Sequence, residues 1–144
     1  MSTTAANAPG SLDDARVELN RRCNSIEECY EFMLAYAAQG LASDANNSQV
    51  REFLGRCDSS LTGLAEFLSG FIAGTGAEMG PYRAFMGVIE RDARDAQAAV
   101  QMVLAQAAIS SQLVDNLNAS IHLRALLTDL FLIDEVLRVH RRQA

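Results

Sequence analysis

An unbroken helical stripe between Val50 and Phe71 constrains the fold more than any other feature of this chain. Its members alternate at spacings of four and three residues, and they are Val50, Leu54, Cys57, Leu61, Leu64, Leu68 and Phe71. Such spacing places every member on one face of an α-helix. We therefore predict a helix over residues 48–73, with Ser48 as its N-cap after the turn "ASDANNS".

Two further helices are predicted before this stripe. Ser25 and Glu28 have the spacing of a capping box, and the apolar face that follows predicts a helix over residues 25–42. A shorter first helix is predicted from Ser11 to near Asn24, because apolar residues recur there at helical spacing.

The chain beyond Pro81 also has helical spacing, and it contains no further proline. One continuous helix of the remaining 63 residues would be about 95 Å long, which is too long for a compact domain of this size. We predict a break between 109 and 118, where two candidates compete: "SS" at 110–111 and "DNLNAS" at 115–120. The last helix is expected over residues 119–141.

No segment alternates apolar and polar residues between hairpin turns, so no strand is predicted. At 144 residues and 49% hydrophobic composition, the chain fits one domain. We predict an all-α fold, an antiparallel helical bundle of four long helices plus a short N-terminal helix. Residues 11–144 form this domain, and residues 1–10 are expected to be a disordered tail.

The net charge of −6 lies entirely in the first half of the chain. Residues 1–80 contain 11 acidic residues and 5 arginines, whereas residues 81–144 contain 7 of each. An acidic chain without a basic stripe disfavours nucleic acid as a partner. The short "RVHRRQA" segment at 138–144 is the only basic cluster, and it resembles a solvated helix end.

Targeting signals are not evident in the sequence. The start "MSTTAANAPG" lacks the basic and apolar regions of a signal peptide, which favours the cytoplasm. The longest apolar candidate, "LRALLTDLFLIDEVLRV", is interrupted by charged residues, so no membrane-spanning segment is predicted.

The glycine-rich stretch "GFIAGTGAEMGP" at residues 70–81 superficially resembles a phosphate-binding loop. Such loops follow a strand, and the P-loop also requires a lysine, which this chain lacks. We interpret the stretch as a joint, in which Gly74 or Gly76 ends one helix and Pro81 begins the next. If it contacts a partner, Glu78 and Met79 are the expected contact residues.

The three cysteines lack the spacing of a zinc site, and no disulfide framework or metal is predicted. Cys29 and Cys57 lie on apolar helix faces, which favours a structural role for both. Cys23 follows two arginines, a setting that could favour the thiolate. Cys23 and Cys29 are therefore candidate redox thiols.

The segment "SIHLRALLTDL" resembles in part the phosphoacceptor helix of histidine kinases and phosphotransfer bundles, in which a mid-helix histidine precedes a leucine and a basic residue. Here the leucine and arginine come one residue early, and no proline or glycine follows them. This resemblance makes His122 a candidate phosphoacceptor.

No catalytic residues or cofactors are predicted, and the sequence favours a non-enzymatic role without deciding the question. A di-iron bundle needs Glu-x-x-His pairs and covalent haem needs Cys-x-x-Cys-His, and neither motif occurs. By elimination we predict a protein-interaction module of the regulatory, adaptor or chaperone-like accessory kind.

The last helix has an apolar arc too broad for one neighbouring helix to cover. Phe131, Leu132 and Val136 extend this arc, and they predict an interface of a homodimer. The alternative is a bundle that binds a small apolar ligand, since small side chains after Pro81 leave room opposite bulkier helices. Those small residues are Ala93, Ala96 and Ala107.

Overall fold

The computed structural model describes the backbone of residues 3–46 and 49–143 and the side chains of residues 12–46 and 49–139. Every regular element in these ranges is an α-helix, so the predicted all-α class is confirmed. The helices are α1 (Thr3–Ala37), α2 (Gln49–Leu61), α3 (Leu64–Gly74), α4 (Gly80–Leu104), α5 (Ser111–Ala119) and α6 (His122–Gln143). No described helix combines the length and apolarity needed to cross a bilayer.

The predicted count of four long helices plus a short first one is not what the structure shows. The two helices expected before residue 43 are one continuous helix, α1, and Ser25 lies within it. Its apolar stripe runs on without interruption through Leu19, Cys23 and Ile26, which pack on the core. Packing along this whole face outweighs a local capping signal. The helix also begins at Thr3, within the segment for which the sequence predicts a disordered tail.

The long stripe that suggested one helix over 48–73 is divided between α2 and α3. Gly63 has a φ of 67°, a left-handed conformation that interrupts the helix. Arg22 donates hydrogen bonds to the carbonyls of Ser60 and Thr62 at 3.2 and 2.6 Å. The amide of Gln97 donates to the carbonyl of Asp58 at 3.1 Å. These side chains satisfy carbonyls that the interrupted helix leaves free. Ser48, the predicted N-cap, lies outside the described residues.

Helix α4 ends at Leu104, earlier than the predicted boundary. The guanidinium of Arg51 donates to the carbonyls of Leu104, Gln106 and Ala107 at 3.1, 2.8 and 3.2 Å. It also pairs with the carboxylate of Asp44 at 2.5 Å. A cation at this position favours the exposed carbonyls of a helix end, so the helix stops here.

Both candidate breaks beyond α4 are helix boundaries. The hydroxyl of Ser110 accepts from the amide of Leu113 at 3.0 Å and caps α5. At the other end Ser120 terminates α5, and Ile121 follows with a φ of 63°. The sequence analysis offered these sites as alternatives for a single break, whereas the structure has a boundary at each, and the short helix between them was not predicted.

The joint between α3 and α4 agrees with its interpretation from sequence. Gly76 has a φ of 83° directly after α3, and Pro81 occupies the first turn of α4. The hydroxyl of Thr75 donates to the carbonyl of Ile72 at 2.6 Å and closes the end of α3.

Three sets of contacts show which parts of the long helices lie together. In the first, Arg22 contacts the end of α2 while Phe32 stacks on Phe53 nearer its start, so α1 and α2 are antiparallel. In the second, Gln97 contacts Asp58, and the end of α4 lies beside Arg51. In the third, helices α4 and α6 enclose a shallow groove that runs from Pro81–Phe85 to Leu132–Val136.

Candidate interaction surface

Helix α6 has two apolar faces, one inside the protein and one outside it. The inner face is buried and includes Leu126, Leu130, Ile133 and Leu137. The side chains of Phe131 and Leu132 are 55% and 54% exposed, and those of Val136 and Val139 are 41% and 39% exposed. We call these four residues the outer face of α6. Three of them were singled out from the sequence, and all four remain partly exposed to solvent.

A shallow groove borders the outer face on its α4 side. Pro81, Tyr82 and Phe85 of α4 form one wall, and Leu132 and Val136 of α6 form part of the other. The groove has a volume of about 210 Å³. The apolar surface of α6 therefore continues onto α4 rather than ending at the edge of the helix.

The border on the α1 side is acidic. Glu27, Tyr30 and Glu31 of α1 face Leu127 and Phe131 of α6 across a groove of about 320 Å³. Partial burial, together with the nearby carboxylates of Glu31 and Glu28, raises the pKa of Glu27. Glu27 forms no ion pair with a described residue, so its negative charge is not compensated within the described protein.

A more enclosed cavity of about 240 Å³ lies between α1, α3 and α6. Leu19, Leu68 and Phe71 contribute to its apolar lining, and the guanidinium of Arg16 lies 5.1 Å above the ring of Phe71. Its volume is below the range of about 300–1,000 Å³ that is usual for small-molecule sites.

The cysteines do not have the arrangement that the redox hypothesis requires. Cys23 and Cys29 belong to the same helix, and six residues of helical rise separate them by about 9 Å. A disulfide between them is incompatible with this helix, because bridged Cα atoms lie within about 7 Å. Cys29 instead contacts Cys57, and this contact together with burial raises the pKa of Cys57. Both are fully buried, in agreement with their predicted positions on apolar helix faces.

The expected thiolate at Cys23 is also not supported. Burial, with smaller effects from Glu27 and Asp134, raises the pKa of Cys23 to about 11. The two arginines that suggested a lowered pKa are engaged elsewhere, since both pair with Glu18. Arg22 in addition donates to the carbonyls at the end of α2. A sequence neighbour on a helix is not a spatial neighbour, which explains the difference.

The other candidate residues do not belong to the outer face of α6. His122 is exposed and is the first residue of α6, whereas a phosphoacceptor histidine is expected in mid-helix. Glu78 is exposed in the loop before α4, and Met79 is half-buried against the core.

The alanines that suggested room for a ligand are explained differently. Ala93 and Ala96 are buried on the inner face of α4, where small side chains allow neighbouring helices to approach. Ala107 follows α4 in an exposed loop, so it does not belong to this face. None of the three lines any of the cavities described above.

The sequence analysis did not identify one pair of ionisable residues. Asp129 of α6 contacts Asp92 of α4, and burial followed by this neighbouring carboxyl raises the pKa of Asp129 to about 7. One carboxylate oxygen of Asp129 is buried with no hydrogen-bond partner among the described residues. An aspartate within the nearly all-apolar segment "LLTDLFLI" was the available signal, but it did not identify the partner.

Comparisons of the chain with protein-family models, curated proteins and solved structures found no match. The function is therefore inferred from the surface of this chain itself.

Proposed function

We propose that this protein is a non-enzymatic interaction module, regulatory, adaptor-like or chaperone-like, that acts as a homodimer. The observation that supports this proposal is the outer face of α6, where Phe131 and Leu132 are both more than half exposed. Contiguous apolar surface of this kind is costly in water and commonly marks a site of association. A second copy of the chain is the occupant that we propose.

The distribution of charge favours self-association through α6. All of the net charge of −6 lies in residues 1–80, whereas residues 81–144 are neutral. Contact through α6 places the two neutral halves of the chain at the centre of the interface. Electrostatic repulsion between copies is therefore smaller for this face than for faces formed by α1 to α3.

We also infer that α1, α2, α4 and α6 form the antiparallel core of the module. The opposite directions of neighbouring helices support this arrangement. We propose the cytoplasm as its location, which the free thiols of Cys23, Cys29 and Cys57 would suit.

The mass of the protein in solution tests the proposal. Light scattering at micromolar concentration should give the mass of a dimer for the wild type, whereas Phe131→Glu and Leu132→Glu should give a monomer. A charge buried in an apolar contact is strongly unfavourable, which is the reason for the expected loss.

Met102→Glu is the matched control, because Met102 is 64% exposed on α4 and lines none of the grooves described above. This variant should remain a dimer. Far-UV circular dichroism establishes that each variant is folded. A wild-type monomer at these concentrations would contradict the proposal.

The cavity between α1, α3 and α6 supports a second candidate function, the binding of a small apolar ligand. Its volume of about 240 Å³ would hold only a compact molecule or part of a larger one. Native mass spectrometry of protein purified under mild conditions tests this possibility. A co-purified small molecule lost on Leu68→Trp, which fills the cavity, would support it.

A further inference from the structure

Three glutamates beside the outer face of α6 have no ionic partner within the described protein. Glu27 and Glu31 line the groove between α1 and α6, and Glu28 lies next to them on the exposed surface of α1. None of the three forms an ion pair with a described residue. Arg124 lines the same groove but does not pair with either glutamate.

The complementary positive charge lies at the C-terminal end of α6. The segment from Arg138 to Arg142 contains three arginines and is the only basic cluster of the chain. Arg138 lies on the α1 side of α6, where it lines the cavity that also includes Glu27. Its pair with Asp134, at 2.9 Å, is about half exposed, so it can be exchanged at little cost.

An antiparallel pairing of two α6 helices would bring these charges together. A two-fold axis that crosses α6 at right angles near residue 134 places Leu132 of one copy opposite Val136 of the other. The same symmetry places Arg138 of one copy level with Leu130 of the other, between the groove residues Leu127 and Phe131. Because this axis keeps α1 of both copies on the same side, the basic end of each α6 approaches the acidic groove of the other copy.

A parallel pairing would have the opposite effect. It would bring the two basic helix ends to the same level and place the two acidic grooves on opposite sides of the interface, each far from the basic end of the other copy. Like charges at an interface disfavour the arrangement that creates them, so the charges select one orientation.

Resting on the proposed homodimer, we propose that two copies associate through antiparallel α6 helices, with Arg138 of each copy against Glu27 and Glu31 of the other. The apolar outer faces supply the contact area, and the two equivalent sets of charges fix its direction. Such an interface is isologous, which is the usual form in a two-fold dimer.

Charge reversal tests the ionic contacts. At low salt, Glu27→Arg combined with Glu31→Arg should raise the dimer dissociation constant by about 10-fold, measured by sedimentation equilibrium. Adding Arg138→Glu to the same chain should restore part of the affinity, because the attraction at this contact then has the reverse sign. The dissociation constant of the wild type should increase with salt concentration.

The control for overall charge is Glu52→Arg combined with Glu66→Arg. Both residues are exposed on α2 and α3, away from the outer face of α6, and the change in net charge is the same. This variant should dimerise at least as tightly as the wild type, because its net charge is smaller. Circular dichroism of all variants checks that they are folded.

Cysteine cross-linking tests the direction of the helices. In the antiparallel arrangement, two copies of residue 135 are offset by about 3 Å along the helix axis and two copies of residue 128 by about 18 Å. Glu135→Cys should therefore form a covalent dimer on mild oxidation, whereas Thr128→Cys should not. A parallel arrangement would cross-link both positions.

The outcomes separate this inference from the proposed function. A dimer that tolerates the reversal at Glu27 and Glu31 as well as the control, or that cross-links equally at both positions, overturns the antiparallel charge pairing and leaves dimerisation intact. A wild-type protein that does not dimerise overturns both.

Discussion

The carboxyl groups of Asp129 on α6 and Asp92 on α4 meet across the interface between these helices. Among the described residues, no hydrogen-bond donor reaches the buried oxygen of Asp129. Two adjacent carboxylates repel each other, whereas one proton held between them supplies a hydrogen bond. Burial and the proximity of Asp92 accordingly raise the pKa of Asp129 to about 7.

This pair should make the stability of the protein fall as pH rises toward neutrality. The pKa of Asp129 is raised in the folded state, so the unfolded chain releases its proton near pH 4 while the folded chain holds it until about pH 7. The stabilising contribution is complete below pH 4 and is lost through this window. Asp129→Asn should raise the free energy of unfolding at pH 8 by about 2 kcal/mol and the Tm by about 5 °C, with little gain at pH 4.

Asp95→Asn is the control, because Asp95 is an exposed aspartate on α4. Thermal unfolding from pH 4 to pH 8 should show a flatter profile for Asp129→Asn and an unchanged profile for Asp95→Asn. A lower Tm for Asp129→Asn at pH 8 would show that the carboxylate has a stabilising partner.

A second prediction concerns the three thiols. Cys29 and Cys57 are fully buried, and burial raises the pKa of Cys23 to about 11. At pH 8, Cys23 should react with a chromogenic disulfide reagent about 100-fold more slowly than an unhindered cysteine. Cys29 and Cys57 should react only when the protein unfolds.

The kinetics in native buffer and in denaturant measure these rates. Cys23→Ser should remove the one slow phase seen under native conditions, and all three thiols of the wild type should titrate in denaturant. The double variant that combines Cys23→Ser with Cys29→Ser should respond to peroxide in the same way as the wild type. Rapid native labelling at Cys23 would restore the redox hypothesis.

The helical class was predictable because apolar spacing is a local property of the sequence. Several helix ends were not, because long-range hydrogen bonds determine them. Arg22 and Gln97 satisfy carbonyls at the end of α2, and Arg51 does so at the end of α4. No nearby sequence signal identifies these partners, which lie about 40 and 50 residues away along the chain.

The candidate interaction surface was likewise predictable from the sequence only in part. The breadth of the apolar arc on one helix identified Phe131, Leu132 and Val136, since exposure follows from the number of neighbours that a helix can have. The contact of Asp92 with Asp129 and that of Cys29 with Cys57 each join two helices. Pairs of this kind follow from tertiary packing and are not encoded in the spacing of either helix alone.

Gly55 and Gly63 lie within the apolar stripe from Val50 to Phe71. Replacing each with alanine should change the free energy of unfolding in opposite directions. Gly55 lies inside α2 with open space around it, so Gly55→Ala should raise the free energy of unfolding by about 0.5–1 kcal/mol. Gly63 has a left-handed φ of 67°, so Gly63→Ala should lower it by about 1 kcal/mol. Denaturant unfolding compares the two variants directly. Stabilisation by Gly63→Ala would show that α2 and α3 join into one helix.

The network around Arg51 leads to a final prediction about the loop after α4. Arg51 holds the carbonyls of Leu104, Gln106 and Ala107, and its partner Asp44 also accepts from the amide of Ile109 at 2.9 Å. A lysine keeps the charge but cannot present several donors in one plane. Arg51→Lys should therefore lower the Tm by about 5 °C and speed amide exchange in residues 105–110.

The dependence of the Tm on pH in acid tests the same network independently. The hydrogen bond from Arg51, followed by that from the amide of Ile109, lowers the pKa of Asp44 to about 2. Because this pKa is lowered on folding, the contribution is present above about pH 4 and is lost as pH falls toward 2. Arg51→Lys should reduce this loss, so its Tm should approach that of the wild type in acid.

Arg56→Lys is the control, because Arg56 is an exposed arginine of α2 that stacks on Phe53. This variant should retain the wild-type pH profile. Equal sensitivity to acid in Arg51→Lys and the wild type would mean that Asp44 is held mainly by the backbone of Ile109.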